Sequence, residues 1–553
     1  MYFVDIMYPR EFTPFALPNE EIITVPEEKP ELKWWNFAWK GAYRIKMANM
    51  TPREVPAGET VMAIINHKSL VDTKKSLPDA SDLRIIYQTK ENTFEVLKYR
   101  LEFPNSIDTR LYFNLPDKLP YRTEVFRYFI YFNNKSIKLN DSLDMSIDNI
   151  FNRRVTLTFD NDIYAPFTAN FSRYWVLKNN YDKNLPLSYS LLTGTVELSA
   201  PFNSVGNLFS WEVVGTRLSS IPTAYPEGLV NIDVDAKNLN PGTYKLHMKF
   251  GEYEDIYEFK VSYPLYATWT MDWEGMDVKN EYLDYINTIA TSNEMPITHY
   301  FNPRIYVSSV VSPTRRQFLT NWVKDRQAKY GDEISMHLHM HNDFVTAAGV
   351  TPRTEVSWGN LGDGYDVLTA SYPPEEFEKI VQLGLQLFQA NGINVPKGYR
   401  AGGWYINLDN LKVLDKLNFA YDSSGRESYA FGKNRVPGYW NLKATTRPYR
   451  ISETDQNSGA KPTLRLIEFP NNGSESTNVP GNEMLKRLSM NFKGDPMTDM
   501  HVITFLSHPH WFSTDKPKME ELFVEMNRYT AKRDGGPIVY TTLEKCSEIW
   551  NNL

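Results

Sequence analysis

The sequence predicts a multidomain fold in which two all-β sandwiches precede an α/β barrel, and three observations predict it. A chain of 553 residues is too long for one hydrophobic core. Its first half reads as short alternating runs broken by Pro, Asn, Asp and Gly, the pattern of strands and turns. After Tyr263-Pro264, apolar strand-like runs alternate with amphipathic helical ones, as a barrel of β and α units requires.

Residues 1–33 are rich in Pro and Glu, carry no period and read as an arm or linker. Residues 34–145 hold the strand candidates YRIKMAN, ETVMAIIN, LRIIYQT, TFEVLKYRLE, RLYFNL and FRYFIYFNN, expected to form the first sandwich. The pairing of DLRIIYQT with FRYFIYFNNKS resembles a lectin-like jelly-roll domain of bacterial surface proteins. Residues 150–262 hold RVTLTFD, RYWVLKN, PLSYSLLTGTVELS, LFSWEVVG, LVNIDVDA, TYKLHMKFG and DIYEFKVS, seven runs at the spacing of an immunoglobulin-like sandwich. Residues 264–553 hold the strands TWTMD, ITHYF, EISMHLH, KGYRAG, LRLIEF, VITFLSH and IVYTT. Helices are expected near 280–291, 313–329, 374–390, 409–417, 517–530 and 543–550. Pro313 after Ser312 and Pro374 ahead of two glutamates are good helix starts, and Gly392 a good stop.

Composition excludes several partners. No stretch approaches eighteen apolar residues, so no transmembrane segment is expected. The net charge of -7 and the lack of a basic stripe interleaved with aromatics make nucleic acid an unsuitable partner. The opening MYFVDIMYPREFTPF lacks the basic start and apolar run of a signal peptide. One cysteine, Cys546, excludes an internal disulfide and is expected to be buried. Aromatics reach 14%, a content that suits both sugar-stacking surfaces and large β cores.

The chemistry centres on ISMHLHMHND, which packs His337, His339 and His341 into five residues. Two imidazoles four apart can meet one metal ion from a turn, and a strand would put all three on one face; either geometry suits zinc. The first strand of the barrel ends in TMDWEG. Asp272 and Glu274, two apart, would share a face and divide the roles of base and metal ligand. Two histidines and one carboxylate leave a fourth zinc position for water. Arg400 ends another strand, and Gly402-Gly403 after it lets backbone approach a ligand closely. Asp422 ends a further strand. His508 and His510 follow a very apolar run, and a carboxylate such as Asp422 would keep a histidine acid protonated.

In order, TMDWEG, EISMHLHMH, RAGGW, YDSS and LSHPHW resemble the motifs of the NodB-homology polysaccharide deacetylases, the family-four carbohydrate esterases. The resemblance covers about residues 267–553. It implies a distorted (β/α)7 barrel, zinc or another divalent transition metal, and removal of acetyl groups from an acetylated polysaccharide at a bacterial extracellular or cell-envelope location. It also implies roles: Asp272 the general base, Glu274, His337 and His341 the metal ligands, His508 the general acid, Arg400 the support of the base and Asp422 the tuner of the acid. The chain departs from the family in spacing its acids as Asp-Trp-Glu and in placing Gly403-Trp404 where Pro-Tyr is usual. The N–H groups of Gly403 and Trp404 remain candidates for the oxyanion. His339 and His510, outside the family pattern, are expected to line the cleft, flanked by long loops at 345–371 and 452–479. Two other readings stand beside this one: a zinc amidohydrolase using His337-x-His339 on a small cyclic amide, and a catalytically inactive glycan-binding surface protein.

Overall fold

The computed structural model describes residues 25–30, 33–49, 53–134, 136–137, 155–159, 165–178, 181–199, 206–226, 228–477 and 479–552. Much of the expected arm at 1–33 and the junction at 138–154 lie outside them. The chain divides into two compact units, one of Met1–Asn170, Thr195–Asn231 and Leu246–Tyr257, the other of Phe171–Gly194, Ile232–Lys245 and Glu258–Leu553.

The first unit is rich in strands. Antiparallel pairing of Gly41–Asn49 and Arg84–Gln88 with Thr123–Phe132 builds a six-stranded sheet, and Thr60–Ile65, Thr109–Asn114 and Tyr99–Glu102 build a three-stranded one. Alternation supplies a core of Ile45, Met47, Val61, Ile85, Leu111, Phe113 and Ile130. Val155–Phe159, expected in the second sandwich, instead pairs with Ile45–Asn49 in the first sheet. Its alternation is compatible with either partner, so pairing alone decides its place. Sheets of three and four strands follow in the stretch up to Ser262.

In the second unit we number the strands of one nine-stranded sheet: β1 Leu265–Asp272, β2 Ile297–Phe301, β3 Glu333–Leu338, β4 Gly398–Ala401, β5 Tyr421–Asp422, β6 Tyr449–Ser452, β7 Thr463–Glu468, β8 His501–Ser507 and β9 Ile538–Tyr540. Their order is β6-β7-β5-β4-β3-β2-β1-β8, with β9 also on β1. All pairs but β6–β7 are parallel. Every residue of β1, β2, β3 and β8 is buried, polar side chains included, as in parallel strands covered on both faces. After β7 the chain bonds to β8: Gly473 N–H donates to Thr504, Leu506 N–H to Ser474 and Ser476 N–H to Leu506. The segment after β7 thus meets the strand at the far end of the order.

Helices cover this sheet at Asn280–Ser292, Pro313–Tyr330, Pro374–Ala390, Leu408–Lys416, Glu483–Asn491, Phe512–Met526 and Leu543–Asn551. The second starts as its sequence dictates, with the Ser312 hydroxyl accepting from Arg315 N–H and Pro313 in the first turn. Gly392, with φ of 68°, follows the third. The helix expected from Pro517 begins five residues earlier, at Phe512, with the proline inside it. Buried Phe512, Met519, Leu522, Phe523 and Met526 share one apolar face, which holds the helix in place despite the missing N–H. Among the described residues no helix is long and apolar enough to cross a membrane.

Candidate metal centre and active site

Parallel strands deliver the polar groups of this unit to one edge, as open α/β sheets do at the carboxyl ends of their strands. Asp272 ends β1 and Glu274 follows it; His337 lies in β3 and His339 just beyond; Arg400 lies in β4; Asp422 ends β5; His508 follows β8.

The Asp-Trp-Glu turn is fixed from its middle residue. Trp273 is buried and donates Nε1–H to Nδ1 of His299 at 3.3 Å. That acceptor role leaves the His299 proton on Nε2, where it donates to Asp332 at 2.9 Å. Arg326 grips Asp332 through two bonds of 2.6 and 3.1 Å. A charged network behind the strand thereby sets where the two carboxylates lie.

Glu274 meets two histidines: its Oε2 lies 2.7 Å from Nε2 of His339 and 3.8 Å from Nε2 of His337. Each histidine is oriented by its other nitrogen, Nδ1–H donating to the carbonyl of Arg400 from His337 (2.9 Å) and to that of Tyr365 from His339 (2.6 Å). Tyr365 also stacks on His339, with centroids 4.1 Å apart. On the far side of His339 a Cβ on Gly402 would lie 2.6 Å from Nδ1, so only glycine fits. Burial would raise the Glu274 carboxyl, but His339 and His337 hold it well below the usual range. Burial would lower His337, and the Asp272 and Glu274 carboxylates raise it instead. Nε2 of His337 and Oε2 of Glu274 make no hydrogen bond within the protein. Glu274, His337 and His339 offer ligand atoms all within 4.8 Å of one another and could hold a metal ion, and histidines backed by carbonyls suit that role.

His341, expected as a metal ligand, is not in this group. β3 ends at Leu338, so the strand alternation that aligns His337 with His339 stops before His341, which instead precedes the short helix Asn342–Ala347. Nε2 of His341 lies 3.3 Å from Nη1 of Arg304, which is itself paired with Asp343 at 2.8 Å. Burial, with Arg304 beside it, lowers His341 to about 3.

Asp272 accepts from Arg400 Nη1 at 2.8 Å; the same nitrogen reaches the Thr270 hydroxyl, and Ser423 takes the other side of the guanidinium. The arginine is fully buried and lies 4.1 Å over the ring of Tyr300. Asp422, expected to tune His508, does not face it. Its register partner on β7 is Glu468, and its oxygens accept from Ser424. Burial pushes Asp422 up to about 6 and Glu468 well above its usual range. His508 meets Thr477 instead, which in turn bonds Asp515.

A cavity of about 50 Å³ is lined by Asp272, Glu274, His337, His339, Glu475 and His508, walled by Trp358, Tyr365, Trp404, Phe431 and Trp511, with Gly403 beside them. Gly403 has φ of 57°, and Trp358 leaves no room for a Cβ there. His510, expected in the cleft, is not among the lining residues and packs against Trp511. The sequence reading missed Glu475, Trp358 and Tyr365 as individual residues, although they come from the two loops it set beside the cleft. Phe431, Thr477 and Asp515 carried no motif signal, and Trp511, the last residue of LSHPHW, was given no role there.

No family model matches the chain, and no curated protein matches it. Solved structures match about half of the chain, and weakly. A Mycobacterium smegmatis protein assigned as a polysaccharide deacetylase is 13% identical, with a TM-score of 0.31 over 52% of this chain and 89% of that one. A family 4 carbohydrate esterase from Streptomyces lividans in complex with acetate gives 9% and 0.28 over 51% and 94%. Peptidoglycan deacetylase PdaC from Bacillus subtilis gives 11% and 0.26 over 52% and 92%. Likeness this slight carries no functional reading, which must come from the side chains themselves.

Proposed function

We propose that the chain is a metal-dependent hydrolase that removes acetyl groups, foremost N-acetyl groups, from a polysaccharide or cell-wall glycan. One observation carries the reading: His337 and His339 both commit Nδ1–H to main-chain carbonyls and turn Nε2 toward Glu274. A zinc ion bound by Glu274, His337 and His339 would supply Lewis acidity and lower the pKa of a water from 15.7 toward about 7. Asp272, steadied by Arg400, takes the water's proton. Backbone N–H at Gly403 or Trp404 stabilises the oxyanion. His508 protonates the departing nitrogen as the C–N bond breaks.

The motif order over the C-terminal half supports the same reading, and with it an extracellular or cell-envelope setting. The run of seven strands paired in parallel, β7-β5-β4-β3-β2-β1-β8, with the segment after β7 bonded to β8, supports a distorted (β/α)7 barrel over 264–553. We assign the strand-rich residues 34–145 and 150–262 to lectin-like and immunoglobulin-like sandwiches. A second reading, a zinc amidohydrolase acting on small cyclic amides, is favoured by the His337-x-His339 pair at the metal group.

Protein stripped of metal and reloaded with zinc is expected to release acetate from N- or O-acetylated oligosaccharides. Asp272→Asn should retain zinc and lose turnover by about 10²- to 10⁴-fold. Ring opening of cyclic amides without acetate release would decide for the second reading. Chelation-resistant glycan binding with neither activity would decide for an inactive surface protein.

A further inference from the structure

We propose that Thr477 and Asp515 are positioning residues for His508, holding its ring through a hydroxyl relay that presents Nε2 to the cavity. The proposal rests on the deacetylase reading for its catalytic consequence, and on geometry alone for the relay.

His508 Nδ1 lies 3.1 Å from the Thr477 hydroxyl, which lies 2.9 and 2.7 Å from the two oxygens of Asp515. A hydroxyl has one proton and a carboxylate can only accept, so Thr477 O–H donates to Asp515. The Thr477 oxygen then accepts from Nδ1–H of His508, and the relay runs one way. His508 N–H also donates to Asp515, at 3.3 Å, so the same carboxylate holds both backbone and ring. With Nδ1 occupied, Nε2 points inward and lies 3.6 Å from Oε1 of Glu274.

The relay is itself clamped. Asp515 is fully buried in the first turn of Phe512–Met526. Lys518, three residues on in that helix, donates to the carbonyls of Ser476 and Val479, on either side of Thr477, at 2.8 Å each. Ser476 bonds the Ser507 hydroxyl at 2.9 Å. Neither Thr477 nor Asp515 lines the cavity, so neither touches substrate. Their effect is confined to what His508 does: passing its Nε2 proton to the amine nitrogen as the C–N bond breaks, while the water's oxygen stays on the acetate.

That confinement gives the test. An amide needs its leaving nitrogen protonated, whereas an aryl acetate expels phenolate without a proton. With zinc-loaded full chain, Thr477→Val and Asp515→Asn should lower kcat on an N-acetylated oligosaccharide by about 10- to 100-fold with KM unchanged, and change kcat on the aryl acetate by less than about twofold. Thr477→Ser, which keeps the hydroxyl, should restore the amide rate. Equal losses on both substrates, or no loss on the amide, would overturn the proposal. Nitrogen-15 spectra of His508 read the relay without turnover: the neutral ring should carry its proton on Nδ1, and a proton on Nε2 in the wild type would overturn it. A wild type that passes the spectroscopic test but releases no acetate from either substrate would sink the deacetylase reading and leave the relay standing.

Discussion

Two pairs of buried carboxylates stand at strand ends of the same sheet, and their surroundings push in opposite directions: Glu274 is lowered, whereas Asp422 and Glu468 are raised. Asp272 and Glu274 face Arg400, His337 and His339, and Glu274 is held well below the ordinary carboxylate range. Asp422 and Glu468 face each other, and burial drives both upward, against the pull of hydrogen bonds and of Arg400. Burial costs the charged form in both places. Histidines within reach decide that Glu274 stays ionised and able to bind a cation, while Asp422 and Glu468 tend to keep a proton between them. An acidic residue at a strand end is therefore a site only when its cations come with it.

The largest effect expected from breaking this contrast is on the zinc proposed to bind Glu274, His337 and His339. His339→Ala and Glu274→Gln should each weaken zinc binding by more than about 100-fold, beyond what loss of an outer partner costs. His341→Ala should leave zinc within a fewfold of the wild type, because Arg304 already occupies that imidazole. Metal content after dialysis, followed by competition with a chelating dye, measures all three. Tight zinc in His339→Ala together with its loss in His341→Ala would reverse the assignment.

A smaller effect comes from disturbing the support and leaving the ligands intact. In Gly402→Ala the new methyl would sit 2.6 Å from Nδ1 of His339 and press the ring off the Tyr365 carbonyl. Zinc affinity should fall by about 10- to 100-fold, and overpacking should cost about 1–3 kcal/mol of stability. Zinc titration and thermal unfolding of the metal-free protein separate these two losses. Unchanged affinity would mean that His339 does not need its carbonyl partner.

What the sequence made legible follows the same line between pattern and partner. Alternating strands and helices after Pro264 were readable because periodicity and the caps at Ser312-Pro313, Pro374 and Gly392 are local properties. Placement of Asp272, Glu274, His337, Arg400 and His508 near one another followed from their positions at ends of parallel strands. That His339 and not His341 stands with Glu274 and His337 was not readable, because it depends on β3 ending at Leu338 and on Arg304 arriving from 37 residues upstream. The partner of His508 was equally hidden. Asp422 looked right by type, but its strand neighbour is Glu468, while Thr477 lies in the loop at 452–479 and Asp515 in a helix that begins five residues before its expected start, and no spacing pairs either with His508.

The smallest effect, and the one that tests the other half of the contrast, is the pH dependence of stability from Asp422 and Glu468. Folding raises Asp422 from 3.8 to about 6, so between those values the folded state binds more protons than the unfolded one. Stability from this group must therefore fall as pH rises through that window and level off above it. Glu468 moves in the same direction and extends the decline upward. Glu468→Gln keeps an oxygen for the N–H of Gly425 and places an amide N–H where Asp422 can accept it. Burial would still hold Asp422 up, but the part of the decline that Glu468 contributes would be gone. The variant should lose less stability between pH 4 and 6 than the wild type and gain on the order of 1–2 kcal/mol at neutral pH, since a tenfold change in proton affinity is worth about 1.36 kcal/mol. Urea unfolding at pH 4, 6 and 8 reads the slope directly. A variant whose slope matches the wild type would mean that the pair is already ionised in the folded protein, and the contrast with Glu274 would then lie in metal ligation alone.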